Sequence, residues 1–349
     1  MTAPPSPNKR TKWLQLLLYL TLATVGRVGG PLSQRLYYTH GGSRKWLMCF
    51  LQSAGFPILL IPLTLLHAKP ATLPLSSPSS SSMEPRLALS AAALGLVSGL
   101  VNYMYSSALH YLPVTTLSLL YSTQLAFVSV LSFFMVRQRF TFYSVNAVVL
   151  LTLGAVVLGL RRSGGGDRGH GVTQGMYLFG FFVALGAAAA SGVLLVGIEL
   201  AYKRSRRPVN VIVVTKFQFV LNLLGTLFCT VGMLVNRDFQ IIPKEATEYE
   251  LGRTKYYFVL VACGLLWQSA SVGFIGLVHC TSSLFVGITN ALLLPVLQIA
   301  AVIAFNEKFT GEKGMCLALC LWGFTSYFIG KYKKSQNEIS TAESNQESA

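Results

Sequence analysis

The sequence predicts an all-α membrane protein of ten transmembrane helices arranged as two inverted five-helix repeats. Three observations carry that reading. The chain of 349 residues is 52% hydrophobic and only 11% charged. Its apolar residues gather in ten long runs, most of them near the roughly 20 residues that a spanning helix needs. The last five runs also resemble the first five when the chain is shifted by 169 positions. Only helices or closed barrels satisfy their backbone groups in lipid, and these runs are too long and too weakly alternating for barrel strands.

The predicted spans are Trp13–Gln34, Trp46–His67, Leu87–Leu109, Pro113–Val136, Phe142–Leu160, Gly175–Leu195, Val209–Val235, Tyr257–His279, Leu284–Phe305 and Met315–Lys331. Under the shift, Ala93, Gly95 and Leu96 fall on Ala262, Gly264 and Leu265, His110 on His279, and Leu125 on Leu294. Arg139-Phe140-Thr141 falls on Lys308-Phe309-Thr310, and Leu150 and Gly154 on Leu319 and Gly323. Five is odd, so the second half enters the membrane upside down relative to the first. Inverted repeats of this kind place a ligand site near the midplane between the halves.

The chain therefore divides into a cytoplasmic N-terminal tail (1–12), a first repeat (13–160), a Gly-rich linker (161–172), a second repeat (173–333) and a disordered C-terminal tail (334–349). The Ser/Pro-rich stretch from Pro70 to Pro85 reads as a flexible loop. Asn236–Lys255 is polar and has room for a short surface helix, with no site recognised in it.

The net charge is +16. The basic residues sit in short loops and tails rather than on one surface interleaved with aromatics, which argues against nucleic acid and for orientation and anionic lipid. Loop charges lean only slightly toward cytoplasmic termini; Lys203-Arg204-Ser205-Arg206-Arg207 is the best local inside marker. The six cysteines lie in or beside apolar runs without a CxxC, so neither a disulfide nor zinc is indicated. The apolar run after Lys12 continues past Arg27 without a cleavage site and reads as a retained anchor.

An ionisable side chain at mid-bilayer costs roughly 2.5–3.5 kcal/mol, which singles out Arg27, Glu199 and Lys216 as coupling or intramembrane charges. Gly26, Gly29, Gly30 and Pro31 around Arg27 suggest a locally thinned or broken helix whose Arg faces the bundle. Lys216 is short of mid-span and can snorkel. Glu199 can pair with Lys203 at i,i+4 or carry a proton. Among neutral groups, Gln52, Asn102, Tyr103, Gln124, Trp267, Gln268, Asn290 and Gln298 are candidate substrate contacts. Tyr121, Gln218 and Asn222 are further polar groups inside spans. Amides offer donor and acceptor together, and aromatic faces stack on flat rings, which suits a planar, mostly uncharged heterocycle. Pro57 and Pro295 are hinge or kink positions. Gly95 and Gly99 form a GxxxG close-packing face.

Several of these stretches resemble the plant purine permeases of the drug/metabolite transporter superfamily. The strongest is Tyr111-Leu-Pro-Val-Thr-Thr-Leu-Ser-Leu-Leu-Tyr-Ser-Thr-Gln-Leu-Ala-Phe127, continuing through Val136-Arg-Gln-Arg-Phe-Thr141 and Asn146-Ala-Val-Val-Leu-Leu-Thr152. The second half adds Trp267-Gln268, Thr281-Ser-Ser-Leu284, Leu294-Pro295, Glu307-Lys-Phe309 and Leu321-Trp-Gly-Phe-Thr-Ser-Tyr327, and the N-terminal side adds Pro31–Tyr37 with Gly41-Gly42. The resemblance implies proton-coupled import of purine bases and related heterocycles (adenine, cytokinins, purine alkaloids) through a central cavity, with the proton gradient as driving force and no bound cofactor or metal. A plasma-membrane location with both termini cytoplasmic is expected. Val101 and His279 depart from the residues common at those positions. Another small metabolite as cargo, or a receptor that binds without transport, are the alternatives. Paired carboxylates, a His/metal cluster and a GxSxG serine are all missing from the sequence, which argues against an enzyme. No oligomeric state can be read from it.

Overall fold

A computed structural model describes residues 9–60, 83–136, 142–160, 173–205, 211–280 and 283–347. Over these residues the protein is all helix, with no strand. The Gly-rich linker, the Arg139-Phe140-Thr141 repeat marker and most of the Ser/Pro-rich loop lie outside the described residues, as does the side chain of His279.

The helices are α1 (Lys9–Thr39), α2 (Lys45–Ser53), a 3-10 turn (Phe56–Leu59), α3 (Pro85–Tyr111), α4 (Val114–Ser122), α5 (Gln124–Val136), α6 (Phe142–Leu160) and α7 (Gln174–Arg204). They continue with α8 (Val211–Val235), α9 (Asp238–Glu248), α10 (Arg253–Cys280), α11 (Ser283–Phe305) and α12 (Gly311–Glu347). Six segments are long and apolar enough to cross a membrane: Trp13–Thr39, Pro85–Tyr111, Val114–Met135, Gln174–Arg204, Ile212–Val235 and Arg253–Phe274. Their outer faces carry large apolar side chains such as Leu89, Phe182 and Phe258, more than two thirds exposed. A helix that is hydrophobic all round belongs in lipid. α12 runs to Glu347 across the tail that the sequence reads as disordered; no Gly or Pro follows Gly330 to stop it.

Contacts sort the helix ends into two groups. The distal end gathers the α1–α2 turn, the α3–α4 turn, the close of α8, the start of α10 and the α11–α12 loop. The proximal end gathers the starts of α1, α3, α6 and α8 and the close of α7. α1 packs along α10, α3 lies between α7 and α8, and α6 packs along α12.

Glycine makes the closest of these seams. A Cβ at Gly26 would overlap the α10 backbone at Leu266 and Ala270, and one at Gly273 would overlap Ala23. This corrects the reading of Gly26, Gly29 and Gly30 as marks of a thinned or broken helix. α1 is continuous through Pro31, and its glycines let α10 approach. Gly95 and Gly99 do the same on α3: a Cβ at Gly95 would stand 2.7 Å from Leu221 O on α8, and one at Gly99 2.6 Å from the Phe228 ring.

Two predicted spans are interrupted. α2 ends at Ser53, where Gly55 and Pro57 lead into the 3-10 turn. The fourth span breaks at Thr123. There Ser118, Ser122 and Thr123 each turn a hydroxyl back onto the carbonyl three residues earlier, at 3.1, 2.6 and 2.7 Å. Such back-bonding competes with the helix ladder and bends it.

A surface helix caps the distal end. The Glu245 carboxylate on α9 accepts four hydrogen bonds, from Tyr37 Oη (2.7 Å), Tyr256 Oη (2.8 Å), Ser43 N (2.8 Å) and Ser43 Oγ (3.0 Å). It ties α9 to the α1–α2 turn and to α10. Gly41 closes α1 at φ 97°, a conformation that glycine adopts without strain.

Candidate substrate-binding site

Four helical segments surround a cavity of about 260 Å³ inside the bundle: α1, α4–α5, α11 and α12, with Tyr105 of α3 and Leu195 of α7 completing the wall. The volume sits just below the roughly 300–1,000 Å³ of ligand pockets, which suits a small ring system.

Arg27 supplies the charge. Its Nε donates to Asn290 Oδ1 at 2.9 Å, joining α1 to α11 across the cavity. That bond occupies the amide oxygen, so the remaining Arg27 and Asn290 groups are donors. Gln124 opens α5 immediately after the break at Thr123 and brings both a donor and an acceptor. Tyr105 and Tyr121 meet edge to face at 5.2 Å. Both lie within electrostatic reach of Arg27. Leu293, Leu294 and Leu297 of α11 and Phe324 of α12 form the apolar side. A cavity so built can hold a flat ring against apolar and aromatic faces and bond its edge through Arg27, Asn290 and Gln124.

A buried polar lock closes the distal side. The Glu307 carboxylate caps the start of α4, accepting from Val114 N (2.8 Å), Thr115 N (3.0 Å) and Thr115 Oγ1 (2.6 Å). A carboxylate there meets orphan amides and the positive helix end. Lys313, fully buried, donates to Thr115 Oγ1 (2.8 Å) and Lys308 O (3.0 Å). Gln298 Nε2 donates to Thr115 O (3.0 Å) and to Ser118 Oγ (2.6 Å), and Ser118 lines the cavity.

The structure thus brings Arg27, Gln124 and Asn290 together and places Gln298 in the adjoining lock. Trp267 stands behind the wall: its ring meets Tyr105 edge-on at 5.7 Å, and its indole N–H is buried beside Cys263. Gln268, 1% exposed, packs against Gly55 at the α2 break, with neither amide atom bonded. Gln52 donates to Gln34 Oε1 at 3.2 Å, away from the cavity lining. Tyr103 stacks on Trp46 at 4.0 Å, and Asn102 is half-buried beside it on α3. Neither lines the cavity. Glu199 makes the i,i+4 pair with Lys203 at 2.7 Å and lies within electrostatic reach of Tyr327, a lining residue. Lys216 is half-buried on α8 and engaged with a neighbour. Pro57 sits in the 3-10 turn, and Pro295 lies within an α11 that continues past it.

Sequence reasoning gave no role to Tyr105, Lys313 or Glu245. Glu307 and Tyr327 stood out only as parts of motifs. A polar residue just beyond a span, facing the uncapped start of another helix, is the signal that could have found Glu307.

The fold and cavity define a multi-pass membrane protein with a ligand-sized internal site. A family model described as PUNUT, purine nucleobase transmembrane transport, matches residues 14–337. Purine permease 3 of Arabidopsis thaliana is 40% identical over 93% of this chain and 92% of its own length. Purine permease 2 of the same plant is 41% identical over 94% of each chain, and purine permease 21 is 35% identical over 97% of this chain and 87% of its own. The chain belongs to the purine permease family.

Proposed function

We propose that this protein is a secondary active transporter that imports purine bases and purine-like heterocycles by alternating access, driven by a proton gradient. Purine nucleobase transport follows from the family. Coupling to protons and the range of cargo, cytokinins and purine alkaloids included, extend it.

One observation carries the mechanism. Four pairs of cavity-lining residues are separated by the repeat shift of 169: Tyr121 and Asn290, Gln124 and Leu293, Leu125 and Leu294, Val128 and Leu297. The helix contacts exchange in the same way, since α1 packs on α10 as α7 packs on α3. Both support ten crossings in two inverted halves, with the base held on their common axis. Rocking one half against the other would then open the site to each side in turn. The lock of Glu307, Thr115, Gln298 and Lys313 would have to part for the distal side to open.

Arg27 and the Asn290 amide favour the acceptor edge of a neutral or deprotonated ring over a protonated one. Trp267, edge-on to Tyr105, would be met as the wall rearranges. Glu199 is the candidate proton carrier, since it lies within electrostatic reach of the lining residue Tyr327 and its protonation would release Lys203.

Reconstituted vesicles test the proposal. An inward proton gradient should drive accumulation of labelled adenine above equilibrium, and a protonophore should abolish the excess. Binding without accumulation would make the protein a receptor; accumulation insensitive to the gradient would remove proton coupling.

A further inference from the structure

Far from the cavity, at the proximal end, the first turns of α3 and the last turns of α7 enclose a groove of about 440 Å³. Its floor is apolar, built from Leu87, Leu94 and Leu200, with Gly197 keeping the two helices close. Its rim is cationic. Arg86 is the second residue of α3 and Arg204 the last of α7, and both are exposed. Neither makes a hydrogen bond or ion pair among the described residues, whereas Glu84 on the same rim is already engaged. α3 also begins without a side-chain cap; Pro85 has no N–H and Ala88 N bonds Glu84 O, which leaves the Arg86 and Leu87 amides as the first-turn donors toward an anion.

We propose that this groove is a binding site for an anionic phospholipid. The two guanidiniums and the uncapped α3 start would hold the phosphate, and an acyl chain would lie along the leucine floor between α3 and α7. The fit is one of charge and shape together: a free phosphate would leave the apolar floor wet, and a zwitterionic lipid would gain less from two exposed arginines. Basic pockets between spanning helices recognise anionic headgroups in this manner. Arg204 also belongs to the basic cluster that marks the cytoplasmic side, the leaflet in which such lipids concentrate. The site is separate from the purine cavity, so it stands or falls independently of the transport proposal.

Native mass spectrometry of the full chain, offered phosphatidylglycerol or phosphatidylcholine, tests it. Retained phosphatidylglycerol should exceed phosphatidylcholine. The double variant Arg86→Ala/Arg204→Ala should lower that retention roughly thirtyfold, at about 1 kcal/mol for each basic residue. The same variant should match the parent in thermal midpoint and in adenine uptake from pure phosphatidylcholine vesicles, which excludes misfolding. Arg86→Lys/Arg204→Lys should retain most of the binding. Equal retention of the two lipids, or retention unchanged in the alanine variant, would overturn the site. So would displacement of phosphatidylglycerol by inorganic phosphate alone, since the floor would then contribute nothing.

Discussion

The two long walls of the cavity occupy corresponding places in the chain and are built differently. α4–α5 is broken at Thr123 and presents Ser118, Tyr121, Ser122 and Gln124 beside the apolar Leu125 and Val128; α11 is continuous through Pro295 and presents Leu293, Leu294 and Leu297, with Asn290 its polar lining group. The same shift relates Gly99 to Gln268. On α3, Gly95 and Gly99 seal the seam with α8, while on α10 Gln268 stands against α2 with its amide unpaired. Under the proposed inverted repeat, a scaffold of two related halves would place the site on its axis, and the sequence differences between the halves would supply recognition. In that reading α4–α5 would bond the ring edge, and α11 would mainly pack.

Removing the charge that α1 brings to Asn290 on the α11 wall should have the largest effect. Arg27→Ala should weaken adenine uptake about 10- to 150-fold, since a hydrogen bond to a charged group contributes roughly 1.5–3 kcal/mol. Uptake kinetics on protein of normal abundance would show it, and an unchanged half-saturation concentration would remove Arg27 from the site. Next comes the polar wall itself. Gln124→Leu should cost roughly 1–3 kcal/mol of adenine binding if a ring atom is left unpaired, while Leu293→Ala should cost less. A larger loss from the leucine in the same titration would reverse the roles assigned to the walls.

The seams give a comparison in stability. Gly95→Ala puts a methyl against the Leu221 carbonyl and should destabilise by about 1–3 kcal/mol. Gly264→Ala, whose Cβ would meet nothing nearer than 3.8 Å, should be close to neutral. Thermal unfolding of both in one detergent decides, and equal losses would mean that the two seams are not differently packed. The smallest structural effect is expected at Glu199. Breaking its exposed pair with Lys203 in Glu199→Gln should change stability by only about 0.3–0.5 kcal/mol, yet uptake should lose its dependence on external pH. A variant with intact pH dependence would leave that pair structural.

Much of this was legible in the sequence for energetic reasons. Apolar runs of spanning length have few alternatives, and Arg27, Gln124 and Asn290 stood out because polar groups inside such runs are costly. Other features were not. The break at Thr123 arises from hydroxyls bonding back to their own helix, and these look like any other Ser and Thr in a sequence. The glycines around Arg27 pointed to a broken helix because the same residue also permits close packing; only the position of α10 decides which. Tyr105 is hidden among many aromatics in apolar runs, and Tyr327 was visible only as the end of a motif. Lys313 and Glu245 lie at or beyond span ends, and become buried only when loops fold back over the bundle.

The central claim is that the base lies between α4–α5 and α11. Photo-cross-linking of the purified protein with 2-azidoadenine, followed by peptide mapping, tests it most directly. Label that unlabelled adenine suppresses should fall on peptides containing Tyr121–Gln124 and Asn290. Suppressible label confined to other helices, with both of these peptides unmodified, would contradict the account.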